Sequence, residues 1–140
     1  MRRCLLTAIV ALCCVASCHR PESTEQFLRV DQSQNGIYPF TLDMSDSLAR
    51  YTVSFYTAID GKRQTVAVPL QVIWVSPSGK NYSETVYMKA GVRSGDREVY
   101  RSGIVPNEYG EWTLAIASLH DVKGFRGIGV ILEREADGTR

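Results

Sequence analysis

The sequence predicts an all-β domain over residues 37–134, built as a β-sandwich of about seven to eight strands. Apolar and polar residues alternate with period two in short runs, as they do in half-buried strands. Turn signals separate these runs, among them Asp60-Gly61 and the Ser-Pro-Ser-Gly of residues 76–79. No segment of the domain sustains a helical period. This pattern is typical of a sandwich, and both an Ig-like and a jelly-roll-like arrangement remain open.

The individual strands follow from the alternation in each run. The clearest runs cover residues 51–59, 66–74, 82–88, 98–104, 112–116 and 127–133. Pro69 has no amide donor, so it predicts a sheet edge or a bulge in the second run. Gly124, Gly127 and Gly129 predict a bend or bulge entering the last strand. Residues 135–140 are interpreted as a C-terminal tail.

The N-terminus has the organisation of a secretory signal peptide over residues 1–17. Arg2 and Arg3 are followed by an apolar run at residues 5–15. That run is shorter than the roughly 20 residues that cross a bilayer, but it suits the apolar region of a signal peptide. Residues 15–18, Val-Ala-Ser-Cys, then match a bacterial lipobox.

The lipobox predicts that Cys18 is acylated and becomes the first residue of the mature chain. Two or three acyl chains would anchor it stably to membrane lipid, whereas one chain would not. The alternative is an ordinary signal peptide cut near Ser17, with Cys18 incidental. Because His19 rather than Asp follows Cys18, the outer membrane is the favoured location. Residues 18–36 are polar and are predicted to be the lipidated Cys with a flexible tether; a short strand at 27–30 is the alternative.

Composition limits the chemistry that the domain can carry. All four cysteines lie within the first 18 residues, so the predicted domain has neither a disulfide nor a thiolate metal site. Of the 16 Lys and Arg residues, Arg2 and Arg3 belong to the signal peptide, which leaves 14 against 15 Asp and Glu. This balance gives no basic footprint for nucleic acid. We therefore expect no cofactor, no metal and no nucleic-acid partner.

The candidate catalytic groups are few, and the sequence predicts that the protein is not an enzyme. His120 is the single histidine outside the tether, and no nucleophile-elbow motif accompanies it. Two acidic pairs, Glu108 with Glu111 and Asp43 with Asp46, flank turn-like segments and are interpreted as solvated charges rather than a hydrolase pair or a calcium loop.

The two tryptophans allow two interpretations. Trp74 and Trp112 are in phase with the apolar side of their strands, which predicts that both fill the core. The alternative is that they stack on a sugar.

Three segments occur in an order that resembles the GldH-type gliding-motility lipoproteins of the Bacteroidetes. They are WVSPSG at 74–79, GEWTL at 110–114 and GFRGIGV at 124–130. The resemblance covers roughly residues 37–133 and implies an envelope lipoprotein linked with gliding and its protein-secretion machinery. It implies no catalytic residues. The expected function is thus that of a non-enzymatic structural or accessory component with envelope protein partners; the alternative is a surface lipoprotein that binds carbohydrate or another small ligand.

Overall fold

A computed structural model describes residues 22–60, 66–90 and 96–136. The signal peptide, the predicted lipidation at Cys18 and residues 137–140 of the predicted tail lie outside this range. The described residues form eight strands and one short 3-10 helix, Val30–Gln32. The strands are β1 (Ser23–Arg29), β2 (Ile37–Met44), β3 (Ala49–Ile59), β4 (Val66–Val75), β5 (Asn81–Ala90), β6 (Glu98–Ile104), β7 (Gly110–Ser118) and β8 (Phe125–Ala136).

The strands pair as a nested set and form two four-stranded sheets. Sheet I has the order β1-β8-β3-β6, and sheet II has the order β2-β7-β4-β5. The first strand therefore pairs with the eighth, the second with the seventh, the third with the sixth and the fourth with the fifth, and every pair is antiparallel. This is the order of an eight-stranded jelly roll. The all-β sandwich prediction is confirmed, and the topology selects the jelly-roll alternative over the Ig-like one.

The core lies between the two sheets and follows the period-two pattern of the sequence. Alternate residues of each central strand point inward, because successive side chains of a strand face opposite sides of the sheet. The inward residues of β3, β4, β7 and β8 are almost fully buried: Tyr51, Val53, Phe55, Val68, Leu70, Val72, Leu114, Ile116, Ile128, Val130 and Leu132.

The sandwich begins earlier than the sequence predicts. β1 pairs with β8 over seven residues, from Ser23 opposite Glu133 to Arg29 opposite Gly127. The prediction of a flexible tether through residue 36 is therefore wrong from Ser23 onward. The reason is that β1 is an edge strand on which Leu28 is the one apolar side chain that packs against the core. A single apolar residue produces no period-two pattern in the sequence, so only the pairing with β8 shows that this segment is a strand. At the other end, β8 continues to Ala136, two residues past the predicted boundary at 134.

Pro69 lies in an interior strand, so the prediction of a sheet edge at this residue is wrong. β4 is flanked by β7 and β5. Its ladder with β7 begins at Leu70 opposite Ser118, and the Pro69 carbonyl accepts from the Leu119 amide at 3.0 Å. The N and C=O of a strand residue face the same neighbour, so the missing donor of Pro69 faces β7 where the regular ladder has ended. The proline therefore costs no ladder hydrogen bond.

At each of the three predicted glycine positions a side chain would overlap a neighbouring residue, which at Gly127 is Leu28. Gly124 has a φ of +79° in the turn before β8, and a side chain there would overlap the Asp60 carbonyl. Gly129 lies on the outer face of sheet I, directly beneath the ring of Tyr56. The predicted irregularity at the start of the last strand is confirmed, since the β3–β8 register shifts between Ala58 and Ile59.

Candidate functional site

A cleft of about 420 Å³ opens at the side of the sandwich where β5 of sheet II approaches β6 of sheet I. Aromatic side chains from β4, β5 and β7 line it, together with Met44 and Ile104. Its rim is formed by β5 and by residues 105–107 of the β6–β7 loop. The cleft exists because β5 and β6 are both edge strands, so no further described strand closes this side.

The aromatic wall of the cleft consists of Trp74, Tyr82 and Trp112. The two indoles meet edge to face with centroids 6.0 Å apart, and Tyr82 lies 6.3 Å from Trp112. The Trp112 indole N–H donates to the Glu108 carbonyl at 2.9 Å, which fixes the ring against the loop. Trp112 is only 5% exposed, which confirms the prediction that it lies in the core, whereas Tyr82 is 44% exposed. Trp74 is half-buried, so the prediction that it fills the core is only partly right.

Beside the aromatic wall, a carboxylate on β5 joins the two sheets. Glu84 accepts hydrogen bonds from Arg101 of β6, whose Nη2 lies 2.7 Å from each carboxylate oxygen. The Tyr100 hydroxyl also donates to Glu84 and in turn accepts from the Trp74 indole N–H at 3.2 Å. The ring of Tyr100 stacks on Phe55 with centroids 4.6 Å apart, which anchors the cluster in the core.

The electrostatics of this cluster favour a fully ionised pair. The hydrogen bond from Arg101 lowers the pKa of the Glu84 carboxyl, and the donor hydroxyl of Tyr100 adds to the effect, although burial opposes it. Burial and the hydrogen bond to Glu84 raise the pKa of the Tyr100 phenol, which therefore stays a donor. The same carboxylate raises the pKa of the Arg101 guanidinium. The cleft therefore holds one anion and one cation that neutralise each other.

The loop side of the rim supplies the Asn107 amide, and a second carboxylate, Glu108, follows it outside the lining of the cleft. Asn107 donates from Nδ2 to the Tyr82 hydroxyl at 3.3 Å and so connects the loop to β5. The Ser76 and Ser78 hydroxyls lower the pKa of the Glu108 carboxyl, although its Oε2 is enclosed without a well-oriented hydrogen bond to any described residue. A carboxyl with a lowered pKa is a poor proton donor near neutral pH.

The other sequence candidates do not assemble into a site. His120 is exposed in the turn between β7 and β8, where its carbonyl accepts from the Ser118 hydroxyl at 2.6 Å. Asp46 forms an ion pair with Arg134 at 2.7 Å, and Asp43 accepts from Ser45. Within residues 22–60, 66–90 and 96–136, no group of three or more His, Cys, Asp or Glu residues is placed to hold a metal ion. The same ranges contain no helix long and apolar enough to cross a bilayer.

Sequence reasoning missed the cluster of Glu84, Tyr100 and Arg101. A signal for it was present, because Glu84 has the same phase as Val86 and Met88, which face inward. A carboxylate in the inward phase of a strand needs a cationic or hydrogen-bonding partner. Arg101 is 17 residues away in the sequence, and only the pairing of β6 with β3 brings it close.

The second notable feature is the outer edge of β5, which pairs with β4 and with no other described strand. The Lys89 amide points away from β4 and donates to the Glu98 side chain at 3.1 Å. Backbone groups alternate in direction along a strand, so the amides of Ser83, Thr85 and Tyr87 point outward as well. Tyr87 is 74% exposed.

Comparisons with known proteins identify the fold and nothing finer. No protein-family model matches the sequence, and no curated protein matches it either. A crystal structure of a protein from Sulfurospirillum deleyianum is similar, with a TM-score of 0.52 and 8% identity; the match covers 80% of this chain and 98% of that one. At this identity the likeness concerns the fold alone. The class of protein that these observations define is an eight-stranded antiparallel β-sandwich.

Proposed function

We propose that this chain is a lipid-anchored, non-enzymatic protein of the bacterial cell envelope that works by contact with another envelope protein. The lipobox at residues 15–18 supports the anchor at Cys18, with the outer membrane as the favoured location. The resemblance to GldH-type lipoproteins supports an accessory role in an envelope assembly. The observation that carries the contact function is the uncovered edge of β5.

The β5 edge is suited to pairing with a strand of a partner protein. An exposed edge presents unpaired N–H and C=O groups, and an extended segment can add to the sheet there. The outer edge of β2 is treated differently, because Gln26 donates to the Thr41 carbonyl at 2.6 Å and Pro39 interrupts the donors. On β5, by contrast, Ser83, Thr85 and Tyr87 keep their outward backbone groups free of any other described strand.

The outer face of sheet II continues this edge with uncharged side chains. Two cross-strand rows run from β2 through β7 and β4 to β5, and none of their eight residues is charged: Pro39, Ala115, Ile73 and Ser83, then Ile37, Ala117, Gln71 and Thr85. Depletion of charge is typical of the centre of protein interfaces. A partner that adds a strand to β5 would thus extend sheet II, and the same partner could cover the uncharged outer face of that sheet.

Site-specific photo-crosslinking in native membranes tests the contact function. A photoreactive phenylalanine at Tyr87 should crosslink to a discrete partner, while the same group at Tyr109, which is 49% exposed on the β6–β7 loop, should not. Thr85→Pro removes one outward donor without removing a bond to β4, so it should abolish the Tyr87 crosslink while abundance stays normal. Equal crosslinking from both positions, or a crosslink that survives Thr85→Pro, would contradict the proposal.

Two further experiments test the anchor and the absence of catalysis. Cys18→Ala should block acylation, and mass spectrometry of the mature N-terminus should find an acylated Cys18 in the unaltered protein. A mature chain that begins elsewhere would exclude the anchor.

Replacing His120, Glu108 and Glu111 together with alanine should leave the cellular function intact. Loss of function at normal abundance would indicate an overlooked catalytic site.

A further inference from the structure

The cleft beside β5 borders the outward backbone edge at Ser83 and has the properties of a small-ligand site. Its volume of about 420 Å³ falls near the lower end of the roughly 300–1,000 Å³ typical of small-molecule sites. Such sites combine apolar and aromatic walls with a few fixed polar groups. Here Trp74, Tyr82 and Trp112 supply the wall, and Glu84, Arg101 and Asn107 supply the polar groups.

The exposed ring in the cleft is suited to the C–H face of a saturated ring. Tyr82 is held from two sides, by the Trp112 ring 6.3 Å away and by the Asn107 amide at 3.3 Å. Nearly half of its surface stays open to solvent. Because the face of an aromatic ring is electron-rich, it attracts weakly positive C–H groups. A flat, pre-oriented aromatic face next to hydrogen-bonding groups fits a ring that has both C–H faces and hydroxyls.

The charge of the cleft selects against an ionic ligand. An anion attracted by Arg101 would be repelled by the Glu84 carboxylate, because both oxygens of that carboxylate accept hydrogen bonds from the same guanidinium. A cation would meet Arg101 in turn. A hydroxyl can use both groups, since Glu84 Oε2 accepts one hydrogen bond from the described residues and has capacity for another. The Arg101 side chain is also 53% exposed, so it can donate to a ligand oxygen.

We infer that this cleft binds a neutral sugar ring, stacked on Tyr82 and hydrogen-bonded by Glu84, Arg101 and Asn107. The inference does not depend on the protein-contact function, because the ligand would contact side chains of the cleft, whereas a partner strand would pair with backbone groups of β5.

Tryptophan fluorescence is a direct test, because both tryptophans of the chain line the cleft. The full-length protein, kept in an amine-oxide detergent without a sugar headgroup, is titrated with glucose, galactose, mannose, N-acetylglucosamine and cellobiose. At least one of these sugars should give a saturable change in emission. Decanoate serves as an apolar-chain probe and glucose 6-phosphate as a charged-sugar probe; both should bind more weakly than the neutral sugar.

Three variants separate binding from folding. Tyr82→Ala should weaken the apparent affinity by at least about tenfold, whereas Tyr82→Phe, which keeps the ring, should retain it. Tyr109→Ala is the matched control, since Tyr109 is similarly exposed but lies outside the cleft; its affinity should equal that of the unaltered protein. The absence of a saturable change with every neutral sugar would overturn the inference. So would tighter binding of decanoate or glucose 6-phosphate, or a sugar affinity that Tyr82→Ala leaves unchanged while the protein stays folded.

Discussion

Replacing Trp112 with alanine should destabilise the domain by about 3 kcal/mol. A buried Trp-to-Ala change typically costs about 3–5 kcal/mol, from lost burial and from the cavity that remains. Trp112 is almost fully buried, meets Trp74 edge to face and donates its indole N–H to Glu108. Its ring also borders the open cleft, so water can enter part of the vacated space, which places the cost near the lower limit. Against a total stability of about 5–15 kcal/mol, this loss is large.

Urea unfolding followed by far-ultraviolet circular dichroism measures the effect without relying on tryptophan emission. With a slope of about 2 kcal/mol per molar urea, the midpoint should fall by about 1.5 M. Trp112→Phe should lower it less, since an aromatic ring still fills much of the site. Leu48→Ala, at a residue that is 77% exposed in the turn before β3, should leave the midpoint nearly unchanged. If Trp112→Ala shifted the midpoint no more than Leu48→Ala does, the assignment of Trp112 to the core would be refuted.

Three other substitutions test particular contacts in the same unfolding assay. Gly129→Val should cost about 1–3 kcal/mol because its side chain would overlap the Tyr56 ring, and adding Tyr56→Ala should recover part of the loss; no recovery would place the strain elsewhere. Glu84→Gln should cost about 0.5–1 kcal/mol at pH 7, given the exposure of the pair with Arg101. Since folding lowers the pKa of Glu84, this difference should be constant above the ordinary carboxyl pKa of 4.5 and shrink as the pH falls through the lower folded pKa; a difference that persists at pH 2 would argue against the ionised pair. Leu28→Asp should cost about 1–3 kcal/mol, because β1 is part of sheet I; a silent substitution would restore the tether interpretation.

The sequence was sufficient for the all-β class and for most of the strands, because the relevant signal is local. In β3, β4 and β7 the inward residues alternate over at least five positions, and a strand that is half-buried requires this pattern wherever its partners lie. Val53, Val72 and Leu114 could be assigned to the core from their positions in the period-two alternation alone. Trp112 could also be placed correctly by its phase.

The tertiary structure decided everything that depends on pairing between distant segments. The strand order separates a jelly roll from an Ig-like sandwich, and the alternation within one strand carries no information about its neighbours. β1 became visible only through its ladder with β8, since a single inward leucine makes no periodic signal. Pro69 could be tolerated in an interior strand because the β7 ladder ends beside it. The cleft likewise depends on the two edge strands β5 and β6, which bring Glu84 close to Arg101. Because this ion pair joins two different sheets, it follows from how the sheets pack and cannot be predicted from the sequence of either strand alone.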